Sequence, residues 1–331
     1  MEKRHDYLII GAALVDVHAA TDFLEKVDIS HKYVEHLMCL SMATKTILRE
    51  LKVHPGGSAL NVAIAMDCMG SKTALLTCIG KSAFGEFIIE RLRNTNINTS
   101  YLKRSDLETG VGINLVSHGE KSTLVYHGAV DELNEEDISS SMVVSAKRMI
   151  ITSLASAKNY RLFLKAIKLA KSYEVPVIFA PSITMLKEFD RKLRSLKYEF
   201  DIAIMNYEEA SLLTRKKDIR QMLKALPGKV AVITKDKDGA YAREGNKVMH
   251  VNSLLIQIKS TTGAGDVFCG AFVQTYYETG SLKEALRIAT TVAGMKLGRM
   301  EAEVQCFPPQ ILRFLKSYEK RIRVRELKWQ Q

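Results

Sequence analysis

Residues 248–277 read VMHVNSLLIQIKSTTGAGDVFCGAFVQTYY. The apolar stretch over 248–258 has the composition of a strand. Ser260-Thr261-Thr262-Gly263-Ala264-Gly265-Asp266 has that of a tight turn, and the run from Val267 that of a buried helix. Strand, small-residue turn and helix in that order predict one unit of an α/β sheet. Gly263 and Gly265 permit backbone conformations and close approaches denied to other residues. N–H groups at a helix start lack intrahelical partners and sit at the positive end of the helix dipole, so the turn suits an anion. Asp266 places a carboxylate beside it. A cradle that holds charge on a phosphoryl group, next to a carboxylate that takes a hydroxyl proton, suits phosphoryl transfer. On these residues alone, an ordinary glycine-rich connector before a buried helix fits equally well.

From about residue 145, strand and helix patterns alternate. AKRMIITS, VPVIFAPS, DIAIMN and KVAVITK are short apolar runs, separated by segments of helical period such as NYRLFLKAIKLAKSYE and YEEASLLTR. This predicts a parallel sheet covered on both faces, with ligands beyond the carboxyl ends of its strands. Asn206, Thr234 and the 260–266 turn fall near such ends and can converge. In the first half, YLIIGAALVDV and KTALLTCIG read as strands, SALNVAIAMDCMG and AFGEFIIERLRNT as helices. Two inserts interrupt them. Residues 17–55 end in the β-patterned KTILRELKVHP, and residues 109–128 read as a hairpin about Gly119. Together they predict a small β-sheet standing off the main one, serving as a lid over substrate or as a dimerising flap. Neither repeats nor linkers divide the chain, and a single domain over residues 1–331 is expected.

The composition is that of a globular protein, 47% hydrophobic and 26% charged. No apolar run is long enough to span a membrane. The N-terminal apolar stretch is short and ends at Asp16, which fits a buried strand better than a signal peptide, so a cytoplasmic location is expected. Five scattered cysteines without a CxxC pair argue against a disulfide framework and against zinc. The net charge of +11 favours anionic partners. Much of it lies in FLKSYEKRIRVRELK and around Arg215, Lys216, Lys217 and Lys224, and reads as a solvated face. A basic nucleic-acid-binding protein is the competing class. The 7% aromatic content and the lack of a zinc-finger, KH or RNP pattern argue against it.

Other motifs add chemistry. Pro55-Gly56-Gly57-Ser58-Ala59-Leu60-Asn61 opens a helix with two glycines that let a small polar ligand approach, and Asn61 can donate and accept toward hydroxyls. Asp16, after an apolar strand and Gly11, can accept from a diol or can simply cap a turn. Asn206 and Glu209, three apart on one helical face, can hold water around a magnesium ion carrying nucleotide phosphates. The same spacing fits an N-cap with its capping-box partner. Gly80-Lys81-Ser82 looks like the end of a P-loop, but Leu75 stands where the first glycine is needed, which rejects that reading. No strand-to-helix GxGxxG supports a dinucleotide oxidoreductase.

Taken in order, GG…N, IGKSAFGEF, NYEE and TTGAGD resemble the PfkB/ribokinase family of carbohydrate and nucleoside kinases, from Tyr7 to about Glu303. TxGAGD followed by an apolar helix is the specific part. The resemblance implies a three-layer α/β/α sandwich with a β-lid and ATP-dependent transfer to a hydroxyl, often a CH₂OH, with Mg²⁺. It implies Asp266 as base and the N–H groups of Gly263, Ala264 and Gly265 as anion hole. Asp16, Gly56, Gly57 and Asn61 would bind a sugar or nucleoside acceptor. Thr234, Asp236 and Thr262 would lie beside the nucleotide, and Asn206 with Glu209 would organise metal through water. Several positions depart from the family pattern. Ser260 stands where a monovalent-cation loop usually has Asp, which argues against potassium dependence. Asp236 stands for Gly, Leu14 and Thr290 for Asn, and Ser82 and Ala180 for Asp. These departures keep open an inactive ligand-binding regulator of the same fold.

Overall fold

The structure is a computed structural model that describes residues 4–327, except 23, 32–33, 44, 118–119, 197, 199, 255–262, 298–312, 315 and 319–320. Its strands are β1 (His5–Ile10), β2 (Leu14–Ala20), β3 (Glu25–His31), β4 (Val34–Cys39), β5 (Glu50–Gly56), β6 (Thr73–Gly80), β7 (Leu102–Ser105), β8 (Gly110–Ser117), β9 (Glu120–Tyr126), β10 (Ala146–Ile151), β11 (Val177–Phe179), β12 (Phe200–Asn206), β13 (Gly228–Thr234), β14 (Ala240–Glu244), β15 (Lys247–Val251) and β16 (Val324–Glu326). Its α-helices are α1 (Ser58–Cys68), α2 (Ala83–Arg93), α3 (Ser140–Val144), α4 (Ala157–Ser172), α5 (Ile183–Glu188), α6 (Asp190–Ser195), α7 (Tyr207–Thr214), α8 (Ile219–Ala225), α9 (Ala264–Thr279) and α10 (Leu282–Leu297).

The main sheet runs β16-β15-β14-β13-β12-β11-β10-β1-β6-β7. From β7 to β13 its neighbours pair in parallel. From β13 to β16 they pair antiparallel, so the sheet is mixed where the sequence pattern predicts a parallel one. Short hairpin turns join β13 to β14 and β14 to β15, and a short turn permits only the antiparallel arrangement. Alternate residues of β1 serve opposite cores. Tyr7 and Ile9 join residues of α1, α9 and α10, while Leu8 and Ile10 join residues of α4, α5 and α8. The result is the expected three-layer α/β/α sandwich. In the second core the Phe179 and Phe200 rings stack with centroids 4.6 Å apart.

Two strand assignments are corrected. The strand read over 248–258 ends at Val251; residues 252–254 lie beyond it, and 255–258 are outside the described residues. Beyond it, Asn252 Nδ2 donates to the Arg321 carbonyl at 2.8 Å and Asn252 Oδ1 accepts from the Arg323 N–H at 2.7 Å. Those bonds seat β16 on β15, so the basic C-terminal run supplies an edge strand and is not only a solvated face. Ser260 and Thr262 lie outside the described residues. YLIIGAALVDV, in turn, is two strands in two sheets. Gly11, at φ 149°, separates them, and a Cβ there would lie 2.0 Å from Thr152 Oγ1. Asp16 is therefore inside β2 and not at the carboxyl end of the first strand.

The second sheet, β5-β2-β8-β9, stands off the first. The insert placed at 17–55 thus contributes from Leu14 onward, and β3 pairs with β4 as a separate ribbon. The hairpin read over 109–128 is the β8–β9 pair, and its tip at Gly119 lies outside the described residues. Register decides which side chains share a face of this small sheet. Leu14, Asp16 and His18 lie on one face with His54 and Lys52 of β5, Gly112 and Asn114 of β8, and Thr123 and Lys121 of β9. The opposite face carries Val17, Leu51, Val53, Ile113, Leu124 and Tyr126, and among these Leu51, Val53, Leu124 and Tyr126 are exposed.

Candidate active site

Helix α9 starts from Gly263, whose φ of 73° is in the left-handed region that glycine tolerates best. Ala264, Gly265 and Asp266 form its first turn, and Val267 N–H makes a helical bond to the Gly263 carbonyl at 3.0 Å. Among the described residues, a Cβ on Gly265 would meet nothing within 4 Å, so on that side the turn is open. One turn on, Gly270 lets α9 press against α1, since a Cβ there would lie 3.1 Å from Met66 Cγ. The close crossing brings Asn61 of α1 to the head of α9. Asn61 Nδ2 donates to Asp266 Oδ2 at 2.9 Å. A Cβ on Gly263 would come within 3.1 Å of the same amide nitrogen. Residues 205 apart in sequence thus meet at one carboxylate.

Burial pushes the Asp266 carboxyl up to about 7; the Asn61 hydrogen bond opposes that rise and the Asp16 charge adds to it. Asp16 is 8% exposed. Its carboxyl is pushed up to about 6 by burial, against the pull of Lys121, the Asn114 amide and Lys296. Two glycines make its room. A Cβ on Gly56 would lie 2.0 Å from Asp16 Oδ2, and one on Gly112 would lie 2.8 Å from Oδ1. Gly57, at φ 96°, lets α1 start against Ala12, whose carbonyl would be 2.6 Å from a Cβ at this position.

Asn206 and Thr234 are register partners at the ends of β12 and β13. Asn206 and Glu209 form a capping box: Asn206 Oδ1 accepts from Glu209 N–H at 2.8 Å, and Glu209 Oε2 accepts from Asn206 N–H at 2.9 Å. Burial first, and then the Asp266 charge among lesser causes, pushes the Glu209 carboxyl up to about 7. Glu209 is therefore within electrostatic reach of Asp266. Asp236 is exposed, outside this group, with φ at 35°. The fold thus brings Asp16, Gly56, Gly57, Asn61, Glu209, Gly263, Ala264, Gly265 and Asp266 toward one region, with Asn206 and Thr234 at its edge.

A small cavity is lined by Ala12, Leu14, His127, Val130, Asp131, Ser153 and Ala155. Leu14 shares the face of Asp16, so this hollow adjoins the same region. His127 Nδ1 is 3.6 Å from Asp131 Oδ1, and that partner raises the affinity of the imidazole for its proton. Among the other departures from the family pattern, Ser82 Oγ is buried without a hydrogen-bond partner, Thr290 is buried within α10, and Ala180 is half-buried after β11. The sequence reading missed Asn114, Lys121, His127 and Lys296. The period-2 pattern of the two inserts could have placed Asn114 and Lys121. Lys296 carries no signal beyond being a lysine in an apolar helix.

This α/β/α frame with a small β-sheet at the end of its strands is ribokinase-like. It superposes on the structure of Arabidopsis thaliana ribokinase complexed with ribose and ATP with a TM-score of 0.73 at 20% identity, covering 96% of this chain and 99% of that one. The pfkB family carbohydrate kinase profile matches residues 22–308, and the chain belongs to that family. It is 30% identical over 236 residues to ribokinase of Staphylococcus aureus (67% of this chain, 74% of the relative). It is 24% identical over 306 residues to ATP-dependent 6-phosphofructokinase of Thermoanaerobacterium thermosaccharolyticum (89% of each). The protein is an enzyme of the phosphotransferase class with an alcohol group as acceptor. Among the described residues, no helix is long and apolar enough to cross a membrane.

Proposed function

We propose that this chain transfers the γ-phosphoryl group of ATP to a hydroxyl, a CH₂OH group, of a sugar or nucleoside, with Asp266 as general base. The observation that carries this reading is the Asn61–Asp266 hydrogen bond at the head of α9, beside an open glycine turn. Asp16, between Gly56 and Gly112, accepts from acceptor hydroxyls, while Gly57 fixes the start of α1. Asn61 is the positioning residue: its amide fixes one carboxylate oxygen and leaves the other for the hydroxyl proton. As that proton passes to Asp266, the acceptor oxygen bonds to phosphorus and the bond to the ADP oxygen breaks. First-turn N–H groups at Gly263–Gly265 stabilise charge on the transferring group.

The donor set fits a magnesium ion held through water. Asn206 and Glu209 use their facing oxygens in the capping box, which leaves water-mediated contact as their mode, and Mg²⁺ commonly keeps several waters. The mutual repulsion of Glu209 and Asp266 is what a cation nearby relieves. When bound, the ion supplies charge neutralisation to the nucleotide phosphates. Thr234, at the end of β13, lies beside the nucleotide in this reading, as do Asp236 and Thr262.

The test is a panel of sugars, sugar phosphates and nucleosides with Mg-ATP and Mg-ADP, read as phosphorylated product. Product with ATP that disappears in Asp266→Asn supports the assignment. Binding of nucleotide and acceptor with no product from any pair would instead mark a ligand-binding regulator.

A further inference from the structure

Strand β8 reads GVGINLVS, and its residues Gly110, Gly112 and Asn114 share the face that carries Asp16. Two glycines clear that face. A Cβ on Gly110 would lie 2.6 Å from the His127 carbonyl, and Gly112 leaves Asp16 Oδ1 its room. Asn114, roughly 7 Å beyond Gly112 along the strand, is the only one of the three with a side chain to offer. It is 1% exposed, although asparagine is depleted in strands and seldom buried so fully. Half of its amide is accounted for: Thr123 Oγ1, on its register partner in β9, donates to Asn114 Oδ1 at 2.9 Å. The other half is not. Among the described residues, Asn114 Nδ2 is buried without a hydrogen-bond partner. The direction of the amide has a physical cause. With its oxygen turned inward a carbonyl would oppose the Asp16 carboxylate, whereas the N–H₂ group favours that charge. Asp16 and Thr123 thus hold the amide between them with its donor inward. Most buried polar atoms are paired, so an unpaired donor beside a binding region calls for an oxygen from outside the chain.

Resting on the kinase reading above, we propose that Asn114 determines acceptor specificity: its Nδ2 donates to the oxygen next to the hydroxyl that Asp16 takes, with Thr123 as the positioning residue. A carboxylate and an amide N–H₂ side by side read two neighbouring oxygens, the first as a donor and the second as an acceptor. An analogue without the second oxygen leaves the buried N–H₂ unpaired, and a site built on a buried hydrogen bond rejects such analogues strongly. In the protein alone the same donor is destabilising. Asn114→Leu, similar in shape, removes it without leaving a new buried polar atom, because Thr123 is exposed to water.

The test has one readout with ligand and one without. D-Ribose, D-fructose and adenosine are titrated by calorimetry without nucleotide, each alongside analogues that lack one oxygen at a time. For a probe that binds, removing one particular oxygen should weaken binding about tenfold or more in the parent, the scale of one buried hydrogen bond. In Asn114→Leu that same removal should cost almost nothing, while the other removals cost the same in both proteins. Thr123→Val should weaken binding of the complete probe, and adding it to Asn114→Leu should have no further effect. Without ligand, the Tm of Asn114→Leu should equal or exceed that of the parent. Removals that all cost the same in both proteins, or binding of none of the three probes, overturn the inference. A Tm well below the parent's does so too, since it marks an amide that holds the fold. Selective loss in a probe that is never phosphorylated upholds Asn114 and removes the transfer reading. Phosphorylation that Asn114→Leu leaves unchanged for every analogue does the reverse.

Discussion

Asp266 holds its proton unusually well because it is crowded by protein and shares its surroundings with Asp16, while one neutral donor, Asn61, opposes that. A general base works only when deprotonated. We therefore expect kcat/KM to rise with pH and level off above about 7. Asn61→Ala removes the bond that favours the carboxylate, so its acid limb should move to higher pH. Asp266→Asn should lower transfer by about 10²–10⁴-fold while acceptor binding persists. Steady-state pH profiles of the three proteins check this, and an unshifted limb in Asn61→Ala would remove Asn61 from the positioning role. At Asp236 a non-glycine residue holds φ at 35°. Asp236→Gly should stabilise the fold by up to about 1 kcal/mol in urea unfolding, the scale of left-handed strain in an L-residue. It should also tighten ATP binding by removing a charge that repels phosphate. Asp266 and its glycines were legible because they are contiguous. The partnership with Asn61 was not, because only the crossing of α1 and α9 creates it.

At the scale of elements, the glycines divide by what a methyl group would strike. At Gly56 and Gly112 it would strike Asp16, at 2.0 and 2.8 Å, whereas at Gly265 it would meet nothing within 4 Å among the described residues. Gly56→Ala and Gly112→Ala should raise the acceptor KM by displacing Asp16, and Gly56→Ala should lower Tm. Gly265→Ala should leave Tm near that of the parent and still weaken ATP binding, because a bound phosphate would meet the new methyl. Thermal melts with nucleotide titrations separate the two groups. Equal ATP affinity in Gly265→Ala would make the turn a connector. The alternation of strands and helices after residue 145 was readable because covered strands are continuous apolar runs. The break at Gly11 was not, since β1 and β2 are both apolar and only their partners differ. The capping box shows the same limit: Asn206 and Glu209 have one spacing for a cap and for a metal site, and sequence spacing cannot choose between them.

For the whole molecule, one face of the small sheet meets the active region and the other leaves Leu51, Val53, Leu124 and Tyr126 in water. A contiguous apolar face of this kind calls for a cover. The expected cover is the same face of a second copy, so amide exchange over residues 50–56 and 120–126 should slow as protein concentration rises. Leu124→Lys should abolish that dependence. A monomer at all concentrations, with exchange in these strands that slows only when acceptor is added, would leave the sheet as a lid alone. The carboxyls of Asp16, Glu209 and Asp266 give a second global effect. Their folded values lie above those of an unfolded chain, so their contribution to stability is full below about pH 4 and is lost as pH rises through 6–7. Asp266→Asn escapes its share of that loss. Its Tm advantage over the parent should therefore grow between about pH 5 and pH 8, and a constant difference would mean Asp266 titrates as in the unfolded chain.

Strand β1 precedes every other strand of the main sheet in chain order, yet lies in its middle between β6 and β10. Its parallel partners are residues 73–76 on one side and 146–151 on the other. The opposite edge is completed only by Val324–Glu326. A nascent chain must therefore carry the apolar segment YLII unpaired until β6 follows and half-paired until β10 follows, and cannot close the sheet before Val324–Glu326 is made. Long-range parallel pairing of this kind slows folding and exposes strand edges to other chains. Synthesis, more than the finished molecule, is where this protein is exposed to aggregation, and yield of soluble protein should respond to translation speed and chaperone supply even for variants whose purified stability is unchanged.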